Sequence, residues 1–138
     1  MILLDTHIWH WWVNQIPGKL SPALIDRIEQ EDEVLVSAIS CFEMAWLVRH
    51  GRIDLGMPYR EWFAEVSAGS GIRFSPVTPE IAALAVSLPE HHKDPQDRLI
   101  IATALTHGAR PISFDGCFHL YRELDGLLIG REIGRAHV

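Results

Sequence analysis

Five carboxylates in this chain stand where a helix begins or a strand ends, which raises the question of whether they act together. The stretch "HKDPQDRLIIATA" sets Asp94 and Asp97 ahead of an apolar run. Helix initiation by itself accounts for both: Asp94 is a good N-cap, Pro95 suits the first helical position, and Asp97 meets the positive end of the helix dipole. Asp5 follows the apolar run Ile2 to Leu4, Asp115 closes "RPISFD", and Glu43 follows Ser40 in an S-x-x-E pattern that reads as a capping box. Gathered carboxylates repel one another, and without a partner one or more would keep a proton at neutral pH. A divalent cation removes that conflict. Oxygen-only ligands with no Cys/His set select a hard ion, Mg²⁺ or Mn²⁺. An ion held in that way activates water and offsets charge on a phosphate, so metal-assisted phosphodiester hydrolysis is the leading reaction class.

Whether the acids meet depends on the elements that carry them. Ile2 to Leu4 reads as a short buried strand, followed by a helix over "THIWHWWVNQ" that stops at Pro17 and Gly18. Ser21-Pro22 opens a second helix through about Glu31, and "VLVS" is a second strand. A helix behind Ser40 and Glu43 runs to Gly51, and another starts at Pro58. "IRFSPV" is a third strand, Pro79 opens a further helix, and the Asp94 helix runs to His107 before Gly108. "RPISFD" is a fourth strand and "LLIG", Leu127 to Gly130, a candidate fifth. Short apolar strands alternating with helices predict an α/β fold, a parallel sheet covered on both faces. Asp5 and Asp115 then lie at strand carboxyl ends, and Glu43 and Asp97 at helix amino ends. These share one edge, where open α/β sheets bind ligands. Local roles exist for each acid, yet all four roles deposit charge on the same rim.

The totals fit one globular domain: 48% of the 138 residues are hydrophobic and 22% charged. The net charge of −6 argues against a protein that grips nucleic acid by basic residues alone, so a polyanionic substrate would need local cations or metal. Cys41 and Cys117 lie in apolar surroundings that suit buried thiols, and a reducing cytoplasm is the expected compartment. The longest apolar region, Val34 to Val48, is broken by Glu43 and falls short of the roughly 20 residues of a membrane span.

At the acid-bearing blocks the sequence resembles the PIN-domain family, and within it the VapC toxins of toxin–antitoxin pairs. The blocks are "LLDTHIWHWW", "SAISCFEMAWLVRHGRIDL", "DPQDRLIIATA" and "ISFDGCFHLY", which occur in the family's order. The resemblance implies a three-layer α/β/α sandwich with a central parallel sheet, usually dimeric. It implies a Mg²⁺- or Mn²⁺-dependent endoribonuclease restrained by a cognate antitoxin. The family's acidic site falls on Asp5, Glu43, Asp97 and Asp115, with Asp5, Asp97 and Glu43 expected on the metal and Asp94 as an auxiliary acid. The PIN-like nuclease domain would span 1–130, leaving 131–138 as a tail that is disordered or appended to the native chain.

Thr6, Ser37, Ser40 and Ser113 flank the acids and suit either water and phosphate oxygens or ordinary caps. Arg98 suits an RNA phosphate or local neutralisation of the rim, and Arg49, His50 and Arg52 suit a helix end. His7, His91 and His92 lack the spacing of a zinc set. Of the tryptophans, Trp9, Trp11, Trp12, Trp46 and Trp62, most are expected in core or interface rather than under bases, and "WHWWV" is apolar enough to predict a dimer or antitoxin contact. Two alternatives stay open. One is a haloacid-dehalogenase-type phosphatase, which needs an acid where His7 stands. The other is a non-catalytic binding module whose acidic rim holds structural metal or a basic segment.

Overall fold

The computed structural model describes residues 1–91 and 93–131. His92 and residues 132–138 lie outside them, and with them the expectation made for the tail. The chain begins with β1 (Ile2–Leu4), α1 (Thr6–Val13), α2 (Pro22–Glu29), β2 (Val34–Ser37) and α3 (Ala38–Arg49). It continues with α4 (Tyr59–Gly69), β3 (Arg73–Ser75), α5 (Pro79–Ser87), α6 (Pro95–His107) and β4 (Arg110–Ile112). Two short 3₁₀ turns follow, Gly116–Leu120 and Arg122–Leu124.

The four strands form one parallel sheet in the order β3-β2-β1-β4. Alternation along the strands divides the core into two layers. Ile2, Leu4, Val34, Val36 and Ile112 face one way and pack with Ile8, Trp9, Leu24, Ile28, Met44 and Trp62. Leu3 and Leu35 face the other way and pack with Ile100, Ile101, Ala104, Phe118 and Tyr121. Apolar residues on both sides of each strand are what a sheet covered by helices on two faces requires. The expected α/β/α sandwich is therefore the architecture observed.

Helix starts follow the caps in the sequence. Asp5, Ser21, Ser37, Thr78 and Asp94 each accept a backbone N–H at the start of α1, α2, α3, α5 and α6. Gly108, at φ 63°, ends α6 with its N–H directed to the carbonyls of Ala104 and Leu105. Four expectations need correction. The α3 cap is Ser37, not Ser40, because β2 hands its last residue directly to the helix and the turn closes on Ile39 N. The fourth strand ends at Ile112, and Asp115 instead caps the first 3₁₀ turn. The fifth strand reduces to a single parallel bridge between Ile129 and Ile112. The two cysteines are free and half-buried rather than buried.

Candidate active site

From β1 the chain moves outward to β2 and β3, then returns to lay β4 on the other side of β1. The sense of the connections thus reverses between β1 and β4, and a crevice at their carboxyl ends is the expected ligand site of such a sheet. Asp5 leaves β1 at this point. Its N–H still bonds the Ile112 carbonyl at 3.2 Å, and its carboxylate caps α1 by accepting Ile8 N–H at 2.9 Å. Ser113, just past β4, hydrogen-bonds the same carboxyl and accepts the Asp115 N–H at 3.1 Å, tying the two strand ends together.

A cavity of about 440 Å³ opens here, and its lining includes Asp5, Glu43, Asp94, Asp97 and Asp115 together with Thr6. The acids named from the sequence on β1, α3, α6 and the segment after β4 thus border one cleft. Glu43 is reached from across the cleft: Thr6 Oγ1 donates to its Oε1 at 2.5 Å. Asp94 caps α6 through Gln96 N at 2.9 Å, and Asp97 lies in the first turn of that helix. Asp115 is exposed and caps its turn through Cys117 N at 2.9 Å.

Electrostatics follow from this crowding. Burial pushes the Asp5 carboxyl up to about 6; the hydrogen bonds from Ser113 and Ile8 oppose that rise, and the charges of Glu43 and Asp115 add to it. Burial and the charges of Asp115 and Asp97 push the Cys117 thiol up. Among the described residues no group of three or more His, Cys, Asp or Glu side chains is gathered closely enough to hold a metal ion as it stands. The donor set nevertheless fits a hard cation: it is all oxygen, one member is buried, and Arg131 is the single Lys or Arg among the described lining residues.

Three residues named from the sequence have other surroundings. Ser40 is completely buried, and its hydroxyl has no partner among the described residues, so the expected RNA contact gives way to a position inside the fold. Arg98 is committed to the carboxyl end of α5, where its guanidinium donates to the carbonyls of Ala85, Val86, Leu88 and Pro89 at 2.6–3.1 Å. That anchorage replaces the expected phosphate contact. Thr6 is almost fully buried, and its hydroxyl serves Glu43.

The cleft also contains residues that the sequence reading did not assign to it: Trp11, Phe114, His7 and Arg131. The i,i+4 spacing of His7 and Trp11 on the helix begun by Asp5, and the position of Phe114 beside Asp115, are the sequence signals for three of them. Arg131 lay in a segment without periodicity. Trp9 and Trp62 are core residues, their rings 5.2 Å apart, while Trp46 is exposed on α3.

Comparison with known proteins agrees with this geometry. Residues 2–124 match the PIN domain. The chain is 44% identical over 115 residues to Ribonuclease VapC22 of Mycobacterium tuberculosis, covering 83% of this chain and 86% of that one. Its fold resembles VapBC2 from Rickettsia felis bound to a promoter DNA fragment, at TM-score 0.69 and 15% identity over 94% of this chain and 98% of that one. It also resembles Mycobacterium tuberculosis VapC20, a Sarcin-Ricin loop cleaving toxin, at TM-score 0.65 and 20% identity over 89% and 98% of the two chains. An all-oxygen cleft at the point where a four-stranded parallel sheet reverses, together with these matches, means that the chain belongs to the PIN-domain family.

Proposed function

We infer that the protein is a divalent-metal-dependent endoribonuclease acting as the toxin of a toxin–antitoxin pair, with 1–130 as its nuclease domain. The observation that carries this reading is the 44% identity to a ribonuclease over most of both chains. The cleft supports it chemically. Asp5, Glu43 and Asp97 would hold Mg²⁺ or Mn²⁺, and a cation there would relieve the burial that keeps Asp5 near a pKa of about 6. The bound ion supplies an acidified water and positive charge beside the scissile phosphate.

This chain's own residues supply position. Ser113 and the Ile8 N–H fix the Asp5 carboxylate, and Thr6 aims Glu43. Asp94 fixes the first turn of α6, which carries Asp97. Asp115 completes the rim on the solvent side. The toxin reading brings a cognate antitoxin, a homodimer and a cytoplasmic site of action. No helix among the described residues is long and apolar enough to cross a membrane. A partner contact is favoured by Trp11 and Trp12, half-buried on the wall of an apolar groove of about 700 Å³ between α1, α2 and α4. The phosphatase alternative loses its ground, since His7 occupies the place of the second acid and the family match lies elsewhere.

Purified protein should cut single-stranded RNA with Mg²⁺ or Mn²⁺, and chelation or Asp5→Asn should abolish the cut. Equal cleavage by Asp5→Asn at equal purity would overturn the reading. RNA binding that survives chelation, with no cleavage under any metal, would return the protein to the binding-module alternative.

A further inference from the structure

The cleft is lined by rings as well as by acids. His7 and Trp11 lie one turn apart on α1, their rings 5.7 Å apart. Trp11 meets Phe114 at 6.0 Å. A cation lies over each of the two larger rings: Arg131 Cζ, in the cleft lining, is 5.0 Å from Phe114, and Lys19 Nζ, outside that lining, is 5.5 Å from the Trp11 ring. Both cations are exposed, and neither forms an ion pair among the described residues. The segments that deliver acids therefore deliver rings too, since α1 carries Asp5 at its start and Phe114 precedes Asp115.

Trp9 and Trp62 lie inside the core, whereas Trp11 and Phe114 pack against its edge and stay partly exposed where they line the acidic cleft, Trp11 also reaching the apolar groove. A bound cation attracts the phosphate at the scissile bond, but the surrounding carboxylates repel the rest of a polyanion, so further binding energy must come from another part of the wall. Flat aromatic faces supply about 1–3 kcal/mol for each stacked base, and cations at the ring faces meet the phosphates on either side. Bases in a duplex are already stacked on their neighbours and cannot use such a wall.

We propose that Trp11 and Phe114, with Lys19 and Arg131 over their rings, form a stacking subsite for an unpaired nucleotide beside the cleaved bond. This rests on the ribonuclease reading above and adds the mode of grip.

The test uses Asp97→Asn protein in Mg²⁺, so that the strand is held without being cut, and a fluorescein-labelled single-stranded RNA of about 12 nucleotides. Binding is followed by fluorescence anisotropy. Trp11→Leu and Phe114→Leu should each weaken binding about tenfold or more. Trp11→Phe should retain most of the affinity. Trp46→Leu should bind as before, because Trp46 is exposed on α3 and lines neither the acidic cleft nor the apolar groove. An abasic strand of the same length should bind the parent protein as weakly as the normal strand binds Trp11→Leu, and Trp11→Leu should bind it no more weakly still. That comparison on the parent chain stands even if a variant misfolds. Undiminished binding by Trp11→Leu, equal affinity for the abasic strand or a duplex, or an equal loss on Trp46→Leu would overturn the subsite. If the wild-type chain cuts RNA and these results fail, only the subsite falls. If it neither binds nor cuts any single strand, the ribonuclease reading falls with it.

Discussion

Thr6 Oγ1 donates to Glu43 Oε1 at 2.5 Å, joining the first residue of α1 to α3 across the mouth of the cleft. Glu43 is thereby held by a side chain adjacent in sequence to Asp5, so two acids far apart in the chain are positioned from one helix start. A hydrogen bond to a charged group is worth about 1.5–3 kcal/mol.

Thr6→Val keeps the shape of the side chain and removes that bond. RNA cleavage should fall about tenfold in kcat with little change in KM, and Thr6→Ser should restore most of it. Steady-state cleavage of a labelled strand checks this; a Thr6→Val enzyme as fast as wild type would show that Glu43 needs no positioning.

Asp5 links the site to stability. Its pKa rises from 3.8 to about 6 on folding, so between these values the folded chain keeps a proton that the unfolded chain has lost. The Asp5 contribution to metal-free stability should therefore be fully present below about pH 4, be lost as pH rises toward 6, and level off above that, with a total change of at most about 3 kcal/mol. Asp5→Asn, which can still cap α1, should flatten that slope and raise the urea midpoint in EDTA near neutral pH. Mg²⁺ should stabilise the wild type and not the variant. A variant less stable than wild type in EDTA would contradict the account.

Much of this architecture is legible in local signals. The triplet Ile2–Leu4, the run Val34–Ser37 and the Asp94-Pro95 start of α6 need only apolar continuity and cap chemistry to be recognised. The reversal that gathers the acids follows from strand order, which the sequence suggested only through the family resemblance. Ser40 misled because Ser37, one turn earlier, is an equally good cap, and the choice between them depends on where β2 stops pairing with its neighbours. Arg98 was illegible for a related reason: its partners are carbonyls at the end of another helix, and no local pattern encodes that contact. Arg131 follows a one-residue bridge, too short for any periodicity to reveal.

Arg98 should prove structural. Arg98→Ala leaves the last carbonyls of α5 without their donors, and loss of these charge-assisted bonds should lower stability by about 2–3 kcal/mol. Urea unfolding measures this, and an unchanged midpoint with weakened RNA binding would return Arg98 to the substrate.

Ser40→Ala tests the opposite case. Removing a buried hydroxyl with no partner among the described residues should be neutral or stabilising by about 1 kcal/mol and should leave cleavage unchanged. Loss of cleavage in a folded Ser40→Ala protein would show that this hydroxyl reaches the reaction.

If carboxylates from separate elements converge on one hard ion, anomalous diffraction from a crystal soaked in Mn²⁺ should show a peak within ligand distance of Asp5, Glu43 and Asp97, absent from an Asp5→Asn crystal treated alike. A fully soaked wild-type crystal with no peak among these three side chains would contradict that convergence.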